Sequence, residues 1–147
     1  MSWLYVLLAA LAGAMLPIQA GVNAQLRKAL GDASQSALIS FAVGTVGLLG
    51  YTFVTQAKPI PFSAAAQNPY WIWLGGLVGA GYVTLVIVAT PKLGAAVTIG
   101  LVVAGQMLVA VLLDHFGWVG FNVHQLTWQR AAGVLLVILG VALIQKF

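Results

Sequence analysis

The sequence contains no cysteine and very few charged side chains. Without cysteine the chain can form no disulfide, no thiolate metal site and no cysteine nucleophile. Only 5% of its 147 residues are charged, and two of these are carboxylates, Asp32 and Asp114. A soluble domain is typically about 25% charged, so this chain has too little polar surface for a soluble fold. With 62% hydrophobic residues, it is predicted to be an all-α integral membrane protein.

The shortage of polar residues also excludes most kinds of catalytic site. His115 and His124 lack a third side chain that would complete a metal site. No nucleophile and base, phosphate loop or pair of carboxylates occurs, so we expect neither enzymatic activity nor a cofactor. The six basic residues lie between or at the ends of apolar runs. That pattern is typical of membrane topology signals, and it argues against nucleic-acid binding.

Five apolar runs alternate with short polar segments, and each is long enough to cross a bilayer, which takes about 20 residues. The first run lacks the basic segment of a signal peptide, so we interpret it as an uncleaved helix. A single integral-membrane domain over residues 1–147 is expected. Its predicted helices are approximately 3–26, 33–56, 70–89, 94–116 and 127–146.

The basic residues predict an orientation. With five spans, Lys58 and Arg130 lie on the same side as the N-terminus. The other side carries Arg27, Lys28, Lys92 and Lys146. Since basic residues favour the cytoplasmic side, the N-terminus is predicted outside and the C-terminus in the cytoplasm. The tryptophans form a belt at the N-terminal side only: Trp3, Trp71, Trp73, Trp118 and Trp128.

The end of the first run carries polar groups that hydrocarbon does not satisfy. Pro17 removes a helical hydrogen bond and is expected to bend the helix. Gln19 and Asn23 lie one helical turn apart on the same face. Either other helices of the protein bind these amides, or this face lines a wet or ligand-filled cavity.

Three further polar side chains fall inside the predicted spans. Gln106 lies near the centre of the fourth helix, and Tyr82 lies near the middle of the third. Thr98 lies earlier in the fourth helix. Each is a candidate for lining a cavity. The alternatives are a bond between helices for Gln106, packing for Tyr82 and a bond within its own helix for Thr98.

Two other pairs of residues suggest contacts at helix surfaces and ends. Gly133 and Gly140, seven residues apart, form a stripe of small residues suited to a partner helix. Asp114 and Arg130 are placed to form an ion pair at the outer face. A structural role and a gating role are equally compatible with that pair.

Segments 105–117 and 129–143 resemble the end of a five-helix repeat of the drug/metabolite transporter superfamily, also called EamA-like. Asp-His-Phe-Gly at 114–117 and Gln-Ala-Gly-Val-Asn-Ala-Gln-Leu at 19–26 resemble, more specifically, its YdcZ-like family. The resemblance implies a half-size transporter of a bacterial inner membrane, one half of an inverted-repeat bundle. It implies pairing through Gly133 and Gly140. It also implies a cavity lined by helices one, three and four, and hence by Gln19, Asn23, Tyr82, Thr98 and Gln106.

The resemblance leads to a functional hypothesis. Two copies, or one copy with a homologous five-helix partner, form an inverted dimer that moves small metabolites or drugs by alternating access. The chain lacks the helix-one glutamate of the small multidrug exporters, so a neutral site for a polar or zwitterionic solute is favoured. The alternative is a non-transporting membrane subunit that packs with or regulates a larger complex. Lipid and a small-molecule substrate are the expected partners in the first case.

Overall fold

The computed structural model describes residues 3–55, 62–63 and 67–147. This part of the chain is helical and contains no β-strand. The helices are α1 (Trp3–Leu30), α2 (Ala33–Val54), α3 (Gly75–Leu93, after a 3-10 turn at Tyr70–Leu74), α4 (Ala95–Phe116) and α5 (Trp128–Lys146). All five spans, with the 3-10 turn included in the third, are long and apolar enough to cross a membrane. The predicted all-α, five-span fold is confirmed.

Helix α1 is longer than the sequence predicted. The basic pair Arg27 and Lys28, expected after its end, lies inside its last turn. The helix continues to Leu30. Cations in a last turn interact favourably with the negative end of the helix dipole, so they end the membrane span without ending the helix. Gly31 then adopts a φ of +82° and donates its N–H to the Arg27 carbonyl at 2.7 Å. Only glycine adopts that conformation at little cost, which fixes the end of α1.

Helix α2 begins at an acidic cap. The carboxylate of Asp32 accepts a hydrogen bond from the backbone N–H of Gln35 at 2.8 Å. This satisfies one of the N–H groups that a helix start leaves without a partner. Helix α2 ends at Val54. Its predicted end at residue 56 and the topology residue Lys58 lie outside the described residues.

Contacts between residues divide the chain into two compact units. We call residues 18–92 the central unit, and residues 1–17 with 93–147 the terminal unit. The core of the central unit joins α2 to α3: Ala33 and Ala37 pack with Val83 and Ile87, and Tyr82 packs against this cluster. The buried residues of α2 follow a helical spacing of three to four, which leaves the rest of its surface uncovered.

In the terminal unit, α4 packs closely against α5. Gly100 of α4 faces Val141 of α5. A Cβ atom added at Gly100 would lie 3.0 and 3.1 Å from the two methyl groups of Val141. Val141 and Val134, seven residues earlier, are both buried. The missing side chain at Gly100 therefore allows the two helices to approach.

Most of the apolar surface of the spans stays uncovered. Only 6% of the residues in the apolar windows of α1 and α2 are buried, and 17% in the windows of the third and fourth spans. In water this would be a large exposed hydrophobic surface. Since the chain belongs in a bilayer, lipid or another protein chain covers it.

We predict that Gly100→Ala destabilises the α4–α5 contact. Alanine favours a helix over glycine by about 1 kcal/mol at any interior position. At Gly100, however, the added methyl group meets the Val141 side chain, and overpacking typically costs about 1–3 kcal/mol. The measurement is the free energy of unfolding of the purified protein in detergent.

The matched control is Gly105→Ala in the same helix, where an added Cβ has no neighbour within 4 Å. It gains the same helix propensity without the contact. Gly100→Ala should therefore be less stable than Gly105→Ala. Equal stability of the two variants would show that α4 and α5 do not approach closely at Gly100.

Candidate functional site

The predicted cavity residues are divided between the two units. The central unit contains Gln19, Asn23 and Tyr82, and the terminal unit contains Thr98 and Gln106. Gln19 and Gln106 expose their side chains. Asn23 and Thr98 are each only 3% exposed, and Tyr82 is half-buried. These five residues therefore differ in how much of each side chain the protein itself covers.

Asn23 is a buried amide held by a contact between α1 and α2. The hydroxyl of Ser36 donates a hydrogen bond to the backbone carbonyl of Asn23 at 2.8 Å, and Ser36 is completely buried. This bond ties the backbone of α1 at Asn23 to the first turn of α2. The position of Asn23 is thus fixed by a polar contact between helices, of the kind that small hydroxyl residues make in membranes.

The side chain of Asn23 has no hydrogen-bond partner within residues 3–55, 62–63 and 67–147. Yet no fully shielded side-chain nitrogen or oxygen in that part of the chain lacks a partner. The amide atoms of Asn23 therefore keep a small accessible area. A buried amide is costly to leave unsatisfied. The side chain of Asn23 thus keeps donor and acceptor capacity that the described chain does not use.

Thr98 uses its hydroxyl proton within its own helix. It donates to the carbonyl of Gly94 at 2.7 Å. Thr84 and Thr90 of α3 make the same type of bond, each at 2.8 Å, to Ala80 and Val86. Such bonds satisfy a hydroxyl in an apolar environment without any other partner. The hydroxyl oxygen of Thr98 keeps acceptor capacity, and its role at a cavity stays a prediction.

Helix α1 runs without interruption through Pro17. Proline has no N–H, so the helical bond to the carbonyl of Gly13 is missing. The division between the two units falls directly after Pro17. The expected bend at this residue stays a prediction.

A second proline has a clear structural consequence in α3. Pro91 lies inside the helix and provides no N–H for the carbonyl of Ile87, four residues earlier. The guanidinium of Arg27 takes that place: Nη1 donates to the Ile87 carbonyl at 3.2 Å and to the Val88 carbonyl at 3.4 Å. Arg27 of α1 therefore binds the end of α3, where the helix dipole also favours a cation.

Asp114 and Arg130 form an ion pair in the terminal unit. Arg130 also donates through Nη1 to the carbonyl of His124 at 2.8 Å, and the N–H of His124 donates to the carbonyl of Asp114 at 2.8 Å. The Nδ1 atom of His115 accepts from the N–H of Leu126 at 3.0 Å. These bonds attach the segment between α4 and α5 to the ends of both helices. A gating role for the ion pair stays a prediction.

The glycine stripe of α5 lies beside its buried stripe. Val134 and Val141 are buried, whereas Gly133 is exposed and Gly140 is half-buried. A Cβ atom added at either glycine would meet no atom within 4 Å. The two glycines therefore present a flat, unoccupied surface next to the face that packs within the unit.

The described residues contain no group of three or more histidine, cysteine or acidic side chains that could hold a metal ion. Their chemistry is that of amides, hydroxyls and a few cations at helix ends. Groups of these kinds form hydrogen bonds as donors and acceptors.

One family model matches the chain over residues 4–143, almost its whole length; its description is "Putative inner membrane exporter, YdcZ". The chain belongs to the YdcZ family. Searches of curated proteins and of solved structures found no significant match. The match and the five spans make this YdcZ protein a multi-pass inner membrane protein of a transporter family.

Two residues of this YdcZ protein that hold helices together were not identified as such from the sequence. The sequence pattern indicates only a topology signal at Arg27 and gives Ser36 no distinguishing feature. Pro91 was a usable signal, because an interior proline leaves the carbonyl four residues earlier in need of a donor. Which donor comes close depends on how α1 and α3 pack, and spacing alone does not reveal that.

We predict that Arg27 and Pro91 are energetically coupled. Arg27→Leu leaves the Ile87 carbonyl without a donor and should destabilise the protein by about 1–2 kcal/mol. Pro91→Ala restores an N–H to that carbonyl, so Arg27→Leu should cost less in the Pro91→Ala background. A double-mutant cycle of unfolding free energies in detergent measures the difference.

Lys28→Leu serves as the control for this cycle, since it removes the neighbouring cation, which makes no bond to α3 within the described chain. Its effect should be the same with proline or alanine at position 91. A cycle in which Arg27→Leu is also additive with Pro91→Ala would contradict the assignment of Arg27 to the freed carbonyl.

Proposed function

We propose that this YdcZ protein is one half of a secondary transporter for small polar or zwitterionic solutes. Two copies, or one copy with a homologous five-helix chain, would form an inverted dimer and work by alternating access. The family match over residues 4–143 and the five spans support membrane transport. The observation that carries the proposed substrate chemistry is the buried and unpartnered amide of Asn23.

Amides suit a neutral, hydrogen-bonding substrate. An amide side chain offers two donor hydrogens and an acceptor oxygen, so it binds hydroxyl, amine and carboxylate groups alike. Asn23 has these capacities unused within the described chain. We assign substrate contact to Asn23 and a further polar contact to Gln19, whose side chain is exposed. Gln106 of the terminal unit, also exposed, is a separate candidate that the family resemblance suggests. Tyr82 would supply an aromatic face and a hydroxyl.

Both carboxylates of the chain have partners at helix ends. Asp32 caps α2, and Asp114 pairs with Arg130. A proton-coupled site for organic cations usually needs a carboxylate inside the bundle. We therefore propose that this protein does not trap cations by proton exchange at a carboxylate, and that its substrate carries no net positive charge.

The proposed dimer uses the surface of α5 at Gly133 and Gly140. In an inverted dimer the two copies of α5 run antiparallel, and the axis lies between residues 136 and 137. Gly133 of one copy then lies beside Gly140 of the other. The unoccupied space at both glycines supports such a contact, because small residues allow helix backbones to approach in a membrane.

We predict that Asn23→Ala removes solute binding. The purified protein is screened by thermal shift against neutral and zwitterionic metabolites. A solute at one hundred times its Kd should stabilise the folded protein by about 2.7 kcal/mol. Asn23→Ala should lose that stabilisation because the substrate loses its amide partner. The solute identified in the screen is then tested for flux into vesicles.

Gln145→Ala, which removes an exposed amide at the end of α5, should bind as the unmodified protein does. Equal binding and equal flux for Asn23→Ala would remove Asn23 from the site. The non-transporting alternative has a different result: no solute in the screen would shift the melting temperature, while association with a larger complex would persist.

We predict a disulfide pattern that reports the dimer geometry. The chain has no native cysteine, so Gly133→Cys and Gly140→Cys introduce single thiols. The two positions lie about 10 Å apart along α5 at a rise of about 1.5 Å per residue. A disulfide requires Cα atoms within about 7 Å. An inverted homodimer should therefore cross-link only when Gly133→Cys and Gly140→Cys chains are expressed together and oxidised in membranes.

A parallel dimer gives the opposite pattern, with cross-links of each variant to itself. No cross-link in any combination would contradict an α5 interface between copies of this chain. A thiol at Gly105→Cys, where added atoms also meet open space, serves as a control for random collision and should remain unlinked.

A further inference from the structure

A basic pocket opens in the central unit, where the C-terminal ends of α1 and α3 lie. It has a volume of about 510 Å³. Its lining consists of Ala24, Gln25, Arg27, Lys28, Gly31, Pro91 and Lys92. Three of these residues are cations and none is acidic. The substrate site proposed above does not use any of them.

The chain does not neutralise these cations with its own carboxylates. Asp32, the nearer of its two carboxylates in sequence, caps α2 through the N–H of Gln35. The described residues contain one ion pair, between Arg130 and Asp114. The negative dipole ends of α1 and α3 favour cations nearby, but each end carries only a partial charge. The pocket therefore retains positive charge that a ligand can balance.

Arg27 is held in a geometry suited to a phosphate. Its Nη1 atom binds the carbonyls of Ile87 and Val88, and this anchors the planar guanidinium. Within the described chain, Nε and Nη2 have no acceptor. A guanidinium presents its N–H groups as a fork that matches phosphate oxygens. Lys28 and Lys92 provide two further charges in the same pocket.

The helix surface below the pocket is apolar and exposed. Val22 precedes Gln25 by one turn of α1, and Ile18 lies one further turn away, so the three share a face. Ile18 is 68% exposed and Val22 is 59% exposed. A phosphate in the pocket would therefore lie next to a surface suited to an acyl chain. This combination distinguishes a lipid from a soluble phosphate.

We propose that this pocket binds the phosphate group of an anionic phospholipid, with an acyl chain along Ile18 and Val22. The prediction that Arg27, Lys28 and Lys92 lie on the cytoplasmic side agrees with this ligand, since basic residues at that interface attract anionic lipid. The bound lipid ties the end of α1 to the end of α3 through the anchored Arg27.

The test is native mass spectrometry of the full chain in detergent, titrated with phosphatidylglycerol or with phosphatidylcholine of the same acyl chains. The unmodified protein should bind phosphatidylglycerol about tenfold more tightly or better. Lys28→Gln combined with Lys92→Gln should weaken that binding about tenfold, because two of the three charges are removed. Arg27 stays in place in this variant, so the contact between α1 and α3 is preserved.

Lys146→Gln removes a cation outside the pocket and should change binding by less than about twofold. An equal loss in Lys146→Gln would show unspecific attraction and overturn the proposal. So would equal affinity for the two lipids, or unchanged binding by the double variant. Inorganic phosphate is finally added as a competitor. If it displaces phosphatidylglycerol at millimolar concentration, the pocket is a site for soluble phosphate and not for a lipid. None of these readouts depends on transport activity.

Discussion

The structure depends on one constraint: inside a bilayer, every polar group must find its partner within the protein, in a ligand or in a trapped water. The carbonyl of Ile87, which Pro91 leaves without a helical donor, accepts a hydrogen bond from Arg27. The hydroxyl of Ser36 finds the carbonyl of Asn23, and those of the threonines find carbonyls one turn back in their own helices. Each of these hydrogen bonds satisfies a polar group, which then needs no other partner. The groups that keep unused capacity are therefore candidates for contact with a ligand or with water.

The same constraint distinguishes the two sites that we propose for this protein. The Asn23 amide is neutral and buried, and the proposal assigns it to a solute that exchanges hydrogen bonds. The pocket at Arg27, Lys28 and Lys92 is charged and lies at the ends of α1 and α3, which suits a phosphate anchored at the membrane surface. With both carboxylates occupied at helix ends, neither site is built to hold a cation.

Two adjacent faces of α5 differ in what they contact. Val134 and Val141 pack within the terminal unit, and Gly133 and Gly140 lie next to them on a surface that nothing in the described chain occupies. The other helices also leave a large apolar area uncovered, which either lipid or another protein chain can cover. A glycine stripe differs from it because close backbone approach gains dispersion contacts that lipid chains do not provide.

The sequence alone determined that this is a five-span all-α membrane protein, because the length and composition of each apolar run are local properties. Residues 19–26 and 105–117 were also enough to indicate the family. The match over residues 4–143 then established it. Only the tertiary structure decided which polar groups satisfy one another. The sequence alone indicates Asn23 as a candidate for lining a cavity, but its near-complete burial depends on packing around α1. The sequence indicates only a topology signal at Arg27. In the fold, Arg27 donates a hydrogen bond to the Ile87 carbonyl that Pro91 leaves without a donor. Hydrogen bonds between helices join residues far apart in the chain, and no local pattern encodes which of them meet.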